Sequence, residues 1–149
     1  MDPAFYAALS LVGVLVLLIV IMNVPGIRAS AGITLTRSGW TLQIYADETG
    51  GLVPAMDGTL VTARFGTDGR LSGSAGCNQY AATYTTRDFA ITVSPAATTM
   101  MYCEISGVMQ QESAYLANLA KAVELRVSES NLNLYDSSGK PLLVFDVMR

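Results

Sequence analysis

Apolar and polar residues alternate with a period of two over much of the chain after residue 38. Trp40, Leu42 and Ile44 alternate with polar or aromatic neighbours, which predicts a half-buried strand. Residues 60–65 repeat the pattern, with apolar side chains at every second position. The dipeptide Asp68-Gly69 that follows predicts a tight hairpin, because it supplies the positive φ angles such turns need. The pattern therefore predicts antiparallel strands.

Further strands are predicted downstream, with turn signals about every ten residues and a single helical stretch between them. We expect the helix over Gly107–Lys121 with Ser106 as its N-cap, because Val108, Tyr115 and Leu119 recur at helical spacing. The other expected strands are residues 71–75, 79–84, 89–93, 98–102, 125–128, 132–135 and 142–147. No regular strand–helix alternation is present, so the predicted fold is mainly β (α+β): a small antiparallel β-barrel of about eight strands with one helix packed against it.

A different pattern precedes residue 28. Ala4–Met22 is a run of 19 uncharged residues, and as a helix it would span about 28 Å, close to the thickness of a bilayer core. We therefore expect an N-terminal transmembrane helix and divide the chain into an anchor or uncleaved signal segment (1–27), a linker (28–36) and a folded domain (37–149). Cleavage after Ala29-Ser30-Ala31 and secretion is the alternative, although the apolar run is longer than that of a usual signal peptide.

Composition excludes several classes of function. The net charge is −3 and Lys and Arg form no cluster, which argues against a nucleic-acid partner. With no His and two Cys, a His-based catalytic triad is excluded and a four-ligand zinc site is not expected. The acids Asp47, Glu48, Glu104 and Glu112 are expected on solvated faces or at helix ends. We expect no catalytic, cofactor-binding or metal-binding residue and no enzymatic activity.

Several segments together resemble a known family. They are Leu71-Ser-Gly-Ser-Ala-Gly-Cys-Asn-Gln-Tyr80, then Tyr84, Ala97-Thr-Thr-Met-Met-Tyr-Cys103 and Glu112-Ser-Ala-Tyr-Leu-Ala-Asn-Leu119. This combination resembles the META domain family of HslJ-like heat-shock proteins over about residues 37–149. The resemblance implies a compact β-barrel of secreted or envelope-anchored proteins, without a catalytic mechanism. It marks as structural motif residues Gly76, Asn78, Tyr80, Tyr84, Thr99 and Met101.

The chain departs from the family pattern at three places. Met100 stands where a basic residue is usual, Glu104 stands where Pro usually follows the second cysteine, and Ala81-Ala82 replace a common glycine. A charge-based role for the loop around Met100 is therefore not carried over from the family.

Cys77 and Cys103 can form a disulfide, remain two buried thiols or act as a redox pair. Their spacing is not that of a thioredoxin-like C-x-x-C motif, and a disulfide is the expected state in an oxidising compartment. Arg28 and Arg37, taken alone, favour a cytoplasmic C-terminus. We let the cysteine pair decide and expect a single-pass membrane protein whose domain lies on the extracytoplasmic side.

Two interpretations apply to the aromatic residues of the motif. Tyr80 and Tyr84 share a sheet face, where they either pack in the core with bonded hydroxyls or, with Met100, form a binding surface for a peptide or glycan. Met100-Met101 is expected to place one side chain in the core and one in solvent. Asn78 is expected in a left-handed or turn conformation beside Gly76.

These observations predict a membrane-anchored, extracytoplasmic, non-catalytic domain that binds a protein or envelope component, with a role in stress. Residues 4–22 would contact the membrane. The alternatives are a hydrolase-type envelope enzyme and an inhibitor or stability module acting on a partner. No metal, cofactor or nucleic-acid partner is expected.

Overall fold

The computed structural model describes residues 35–149. Within that range the chain forms ten strands and a helix of 14 residues, α1, and residues 35–37 before the first strand are also helical. In chain order they are β1 (Gly39–Ala46), β2 (Leu52–Pro54), β3 (Thr62–Phe65), β4 (Arg70–Ser74), β5 (Gln79–Arg87), β6 (Ala90–Val93), β7 (Ala97–Thr98), α1 (Val108–Lys121), β8 (Glu124–Val127), β9 (Asn131–Tyr135) and β10 (Pro141–Val147).

Eight of the strands close into an antiparallel barrel. The order around it is β1, β3, β4, β5, β6, β8, β9 and β10, and β10 pairs with β1 to complete the circle. The short strands β2 and β7 pair with β1 and β5 respectively. The predicted barrel with one helix is therefore confirmed. The predicted membrane segment, residues 4–22, lies outside the described range, and within 35–149 no helix is long and apolar enough to cross a membrane.

The alternating pattern of β1 holds only for its first half. Trp40 and Leu42 are buried as expected, and both belong to the core. A bulge against β10 between Leu42 and Ile44 then shifts the register by one residue. Because a bulge exchanges the two faces of a strand, Tyr45 becomes the buried residue and Ile44 is only half-buried. The expectation that Ile44 continues the buried face is wrong.

The helix begins one residue later than expected, at Val108. Its N-cap is Gly107, which has a φ of 89° and provides no side-chain cap, so the prediction of Ser106 as N-cap is wrong. This left-handed backbone favours glycine over any residue with a Cβ. The predicted apolar face is confirmed, since Val108, Tyr115 and Leu119 are buried.

The two ends of the barrel are closed differently. At the helix end, α1 lies across the last residues of β1, where the Asn118 side-chain amide donates to the Ala46 carbonyl at 2.7 Å. At the opposite end, where β1 begins, Leu35 and Trp40 are both fully buried. The two ends are called the helix end and the Trp40 end below.

Candidate functional site

The turn of the sequence motif joins β4 to β5 at the helix end. The Ala75 amide donates to the Asn78 carbonyl at 2.8 Å, which closes the turn. The left-handed backbone lies at Gly76, with a φ of 111°, and not at Asn78. A Cβ on Gly76 would also approach the side chains of Gln111 and Val108 at 3.4 Å. Of the two conformations expected for Asn78, left-handed or turn, the structure has the turn. What Asn78 contributes to the fold comes from its side chain.

Glu112 holds this turn against the helix. Its Oε2 accepts the backbone N–H groups of Cys77 at 3.3 Å and Asn78 at 2.7 Å, and its Oε1 accepts the Asn78 side-chain amide at 2.8 Å. The residue is 6% exposed and forms no ion pair within residues 35–149. The expectation of a solvated Glu112 is wrong, because three N–H donors from the turn replace the water that a buried carboxyl group needs.

Asn78 also holds the segment that follows β7. Its Oδ1 accepts the Thr99 hydroxyl at 2.8 Å and the Met101 amide at 2.7 Å, while its Nδ2 donates to the Met101 carbonyl at 3.0 Å. Thr99 thus contributes to the motif with its side-chain hydroxyl group, and Met101 contributes with its backbone N–H and C=O groups. The amide of Asn78 bonds Met101 as a neighbouring strand residue would, so it extends the β5–β7 ladder by one position.

The disulfide completes the attachment of this segment. Cys77 and Cys103 are bonded, with Cα atoms 5.9 Å apart, which confirms the expected pairing. Residues 102–106 take part in one hydrogen bond, which is local: the Val108 amide donates to the Ile105 carbonyl at 3.2 Å. The cross-link is therefore the main tertiary tether of residues 102–106. In the chain-entropy model, closing a loop of this size stabilises the fold by about 3–4 kcal/mol.

Tyr80 and Tyr84 lie in the core. They are 3% and 8% exposed, so the hypothesis that they form a binding surface is wrong and the packing interpretation holds. The Tyr80 hydroxyl lies 2.7 Å from that of Tyr115, and both donate toward the Thr62 carbonyl. The Tyr84 hydroxyl donates to the Gly66 carbonyl at 2.7 Å.

Burial shifts the acidity of these rings. It raises the pKa of Tyr80 and of Tyr115 well above the usual value, and for Tyr115 the neighbouring Tyr80 adds to the rise. The pKa of Tyr84 is raised by burial and by the nearby Asp68. All three hydroxyl groups consequently remain neutral hydrogen-bonding groups at physiological pH.

The exposed apolar side chains lie where the disulfide holds the chain. Met100 is 98% exposed, Met101 56%, Tyr102 81% and Ile105 57%. We call residues 100–105 the apolar loop. Met100 is exposed as the binding-surface hypothesis required, but Met101 does not enter the core. Tyr102 and Ile105 were missed, although an apolar run beside a cysteine was a usable signal.

Other polar side chains lie in a surface groove or are bonded inside the fold. A shallow groove of about 460 Å³ on the barrel wall is lined by Thr41, Gln43, Asn131 and Asp146, among others, and Asp146 accepts a bond from Asn131 at 2.7 Å. Within residues 35–149 no three His, Cys, Asp or Glu side chains lie together as a metal site would require. Every buried side-chain N or O atom of that range has a hydrogen-bond partner.

Comparisons with known proteins show a family match and similar solved structures. A family model described as META domain matches residues 33–148. An NMR structure of a protein from Burkholderia xenovorans is similar, with 25% identity, a TM-score of 0.62, and 85% of this chain and 97% of that chain covered. A crystal structure of a DUF4847 family protein from Bacteroides vulgatus shares the fold at 14% identity and a TM-score of 0.55, covering 75% and 93% of the two chains. The comparison with curated proteins found no match.

Proposed function

The chain belongs to the META domain family, and from this premise we propose that it is a membrane-anchored, extracytoplasmic, non-catalytic domain that binds a protein or another envelope component. The observation that carries the proposal is the apolar loop. The surfaces of soluble proteins seldom expose a large apolar patch unless that patch is an interaction site.

The way the loop is held supports a role in recognition. Asn78 bonds both backbone groups of Met101, and the disulfide fixes Cys103. A segment that is already ordered loses little conformational entropy when a partner binds, so more of the contact energy appears as affinity. An apolar segment under no functional demand would be expected to fold onto the nearby core.

The location of the loop favours a partner over the anchoring membrane. The described chain starts at Leu35, whose carbonyl accepts the Trp40 indole N–H at 3.0 Å at the Trp40 end. The apolar loop lies beside the β4–β5 turn at the helix end. The described chain therefore begins at the end of the barrel opposite the loop, and this supports a partner other than the anchoring membrane. The disulfide suits the oxidising extracytoplasmic compartment that we propose.

The non-catalytic part of the proposal rests on how the polar groups are used. Polar groups that a catalytic site could employ bond partners inside the fold: Glu112 and Asn78 bond each other, and the Tyr80 hydroxyl donates to the Thr62 carbonyl. A specific likeness to HslJ-type heat-shock proteins and a role in stress belong to the proposal as well. Their support is the motif resemblance alone.

In-cell photo-crosslinking tests the proposal. A photoreactive residue at Tyr102 in the full-length chain is expected to give an adduct of one protein or envelope component, identified by mass spectrometry. The same residue at the exposed Gln43 on the barrel wall is the matched control. Equal adducts from both positions, or none from Tyr102, would contradict the proposal, and turnover of a defined substrate by the purified chain would overturn its non-catalytic part.

A further inference from the structure

We propose that residues 97–102 form an open strand edge that takes up an extended peptide by β-strand addition. This deepens the proposed function and rests on it, because it names the binding mode and the chemistry of the partner. The argument starts from the direction of the backbone groups in β7 and in the apolar loop.

The inner side of the segment is fully engaged. Ala97 pairs with Ala81 of β5, and the Thr99 amide donates to the Gln79 carbonyl at 3.0 Å. The next inward residue, Met101, bonds the Asn78 amide through both its backbone groups. Residues 97, 99 and 101 therefore form one continuous line of inward bonds.

The outer side is open. In an antiparallel ladder the backbone groups of successive residues point to opposite edges, so those of Thr98 and Met100 point away from β5. Within residues 35–149, β7 pairs with no strand other than β5. Residues 97–102 are all exposed, and no other segment of that range covers the edge. The outward N–H and C=O groups of Thr98 and Met100 are therefore left without a partner strand within that range.

Natural proteins usually protect such an edge with charged side chains or proline. Here residues 96–103 carry no charge, and Pro95 lies before the edge. Met100 and Tyr102 instead present apolar surface beside the free backbone groups, with 98% and 81% of their surface exposed. An unprotected, pre-ordered edge with apolar side chains is the combination that strand-addition sites use.

The same features select the occupant. A lipid surface offers no ladder of donors and acceptors for the edge, whereas an extended peptide does. Glu104 is exposed at the end of the edge and makes no ion pair within residues 35–149. We therefore expect a peptide with alternating apolar residues and a Lys or Arg where it passes Glu104.

Selection from random octapeptides displayed on phage tests the inference, with the full-length chain in dodecyl maltoside as bait. Enriched peptides are expected to alternate apolar residues and carry a basic residue at one end. Their synthetic, fluorescently labelled forms are then titrated against wild type, Met100→Pro and Met100→Ala. Proline removes the outward N–H of residue 100 without removing an inward bond, whereas alanine removes the side chain and keeps the N–H.

Met100→Pro should weaken binding by about tenfold or more, and Met100→Ala by clearly less, since main-chain bonds give the affinity. N-methylation of alternate peptide residues should abolish binding in one register and leave it in the other, which probes the edge without altering the protein. Absence of enrichment over detergent alone, equal binding to Met100→Pro, or insensitivity to N-methylation would overturn the inference. Self-association that is lost in Met100→Pro would assign the edge to a second copy and would also overturn it.

The two proposals fail separately. If Tyr102 crosslinks a partner in cells and Met100→Pro leaves that adduct unchanged, the proposed function stands and strand addition is wrong. If the selected peptides bind as expected but Tyr102 gives no adduct in cells, the edge is a strand-addition site and the proposed function fails.

Discussion

The two ends of the barrel are closed by different kinds of contact. At the Trp40 end the closure is apolar, with Trp40 and Leu35 fully buried and a single hydrogen bond between them. At the helix end the closure is polar, with Gln111, Glu112 and Asn118 buried and bonded to loops and strand ends. Apolar contact is non-directional and excludes water, whereas hydrogen bonds also fix where each segment lies.

This difference explains why the candidate binding segment is at the helix end. A loop that must keep large apolar side chains in solvent cannot be positioned by burying them. It has to be positioned by bonds to its backbone and by a covalent link, which Asn78 and the Cys77–Cys103 disulfide supply. The order of the helix end thus depends on buried polar groups, each of which needs a hydrogen-bond partner.

The largest effect is expected at the Trp40 end. Trp40→Ala should lower the free energy of unfolding by about 3–5 kcal/mol, because it leaves a large cavity at a fully buried site. Urea unfolding followed by circular dichroism measures the change. Trp40→Phe is the control, since it keeps most of the ring and should cost about 1–2 kcal/mol through the lost N–H bond to Leu35. A cost below 1 kcal/mol for the alanine variant would show that this end does not depend on packing.

The next effect is expected from the disulfide. Replacing both Cys77 and Cys103 with Ala should lower stability by about 3 kcal/mol and expose residues 102–106 to proteolysis. Urea unfolding and limited proteolysis with mass spectrometry measure both results. Reductant should destabilise the wild type and leave the double variant unchanged. A reduced wild type as stable as the oxidised form would contradict the role of the cross-link as the tether.

A smaller, local effect is expected from Glu112→Gln. The new amide N–H₂ group must face at least one donor that the carboxyl oxygens now accept, so about 2 kcal/mol should be lost. Hydrogen exchange should quicken at the Cys77 and Asn78 amides and stay slow around Trp40. Ser113→Ala, exposed on the same helix, is the control. An equal rise in hydrogen-exchange rate at the helix end and at the Trp40 end would contradict the claim that Glu112 acts only at the helix end.

The smallest effect is expected at alkaline pH. The pKa values of Tyr80 and Tyr115 are raised in the folded state by burial, so the folded chain holds these protons more tightly than the unfolded chain. Their contribution is fully present below about pH 10, the ordinary tyrosine pKa, and is lost as pH rises above it. The slope approaches about 1.4 kcal/mol per pH unit for one such group.

Unfolding measured between pH 8 and 11 checks this. Tyr80→Phe should make the alkaline decline shallower, whereas Tyr102→Phe, at a ring that is 81% exposed, should not change it. An identical decline in the wild type and the Tyr80 variant would contradict the assignment to the buried pair.

Much of the fold could be predicted because its signals are local. The alternation of Val61, Ala63 and Phe65 and the Asp68-Gly69 turn lie within ten residues, and all three apolar side chains are buried as expected. The bulge in β1 could not be predicted, because it depends on how β10 pairs with it. The glycine cap of α1 was missed since Ser106 is the better cap by local chemistry alone.

The candidate site was predictable only in part. The motif residues Gly76, Asn78, Cys77 and Cys103 could be singled out from their arrangement, but the partner of the Asn78 amide could not. Glu112 is 34 positions from Asn78, and a lone Glu on a helix is ordinarily solvated. Its burial follows from the helix packing across the barrel, a consequence of the whole fold.

By itself, then, the sequence determined most of the barrel strands, that the two cysteines can pair, and that no histidine chemistry is available, because each depends on residue type and short spacing. It missed the short strand β2 and expected a strand over residues 98–102, where the structure has only Ala97–Thr98. The tertiary structure alone decided that Tyr80 and Tyr84 are buried, that Glu112 holds the turn and that Met100 and Tyr102 lie in solvent. Burial and hydrogen-bond partners arise from contacts between distant segments, and such contacts exist only once the barrel has closed.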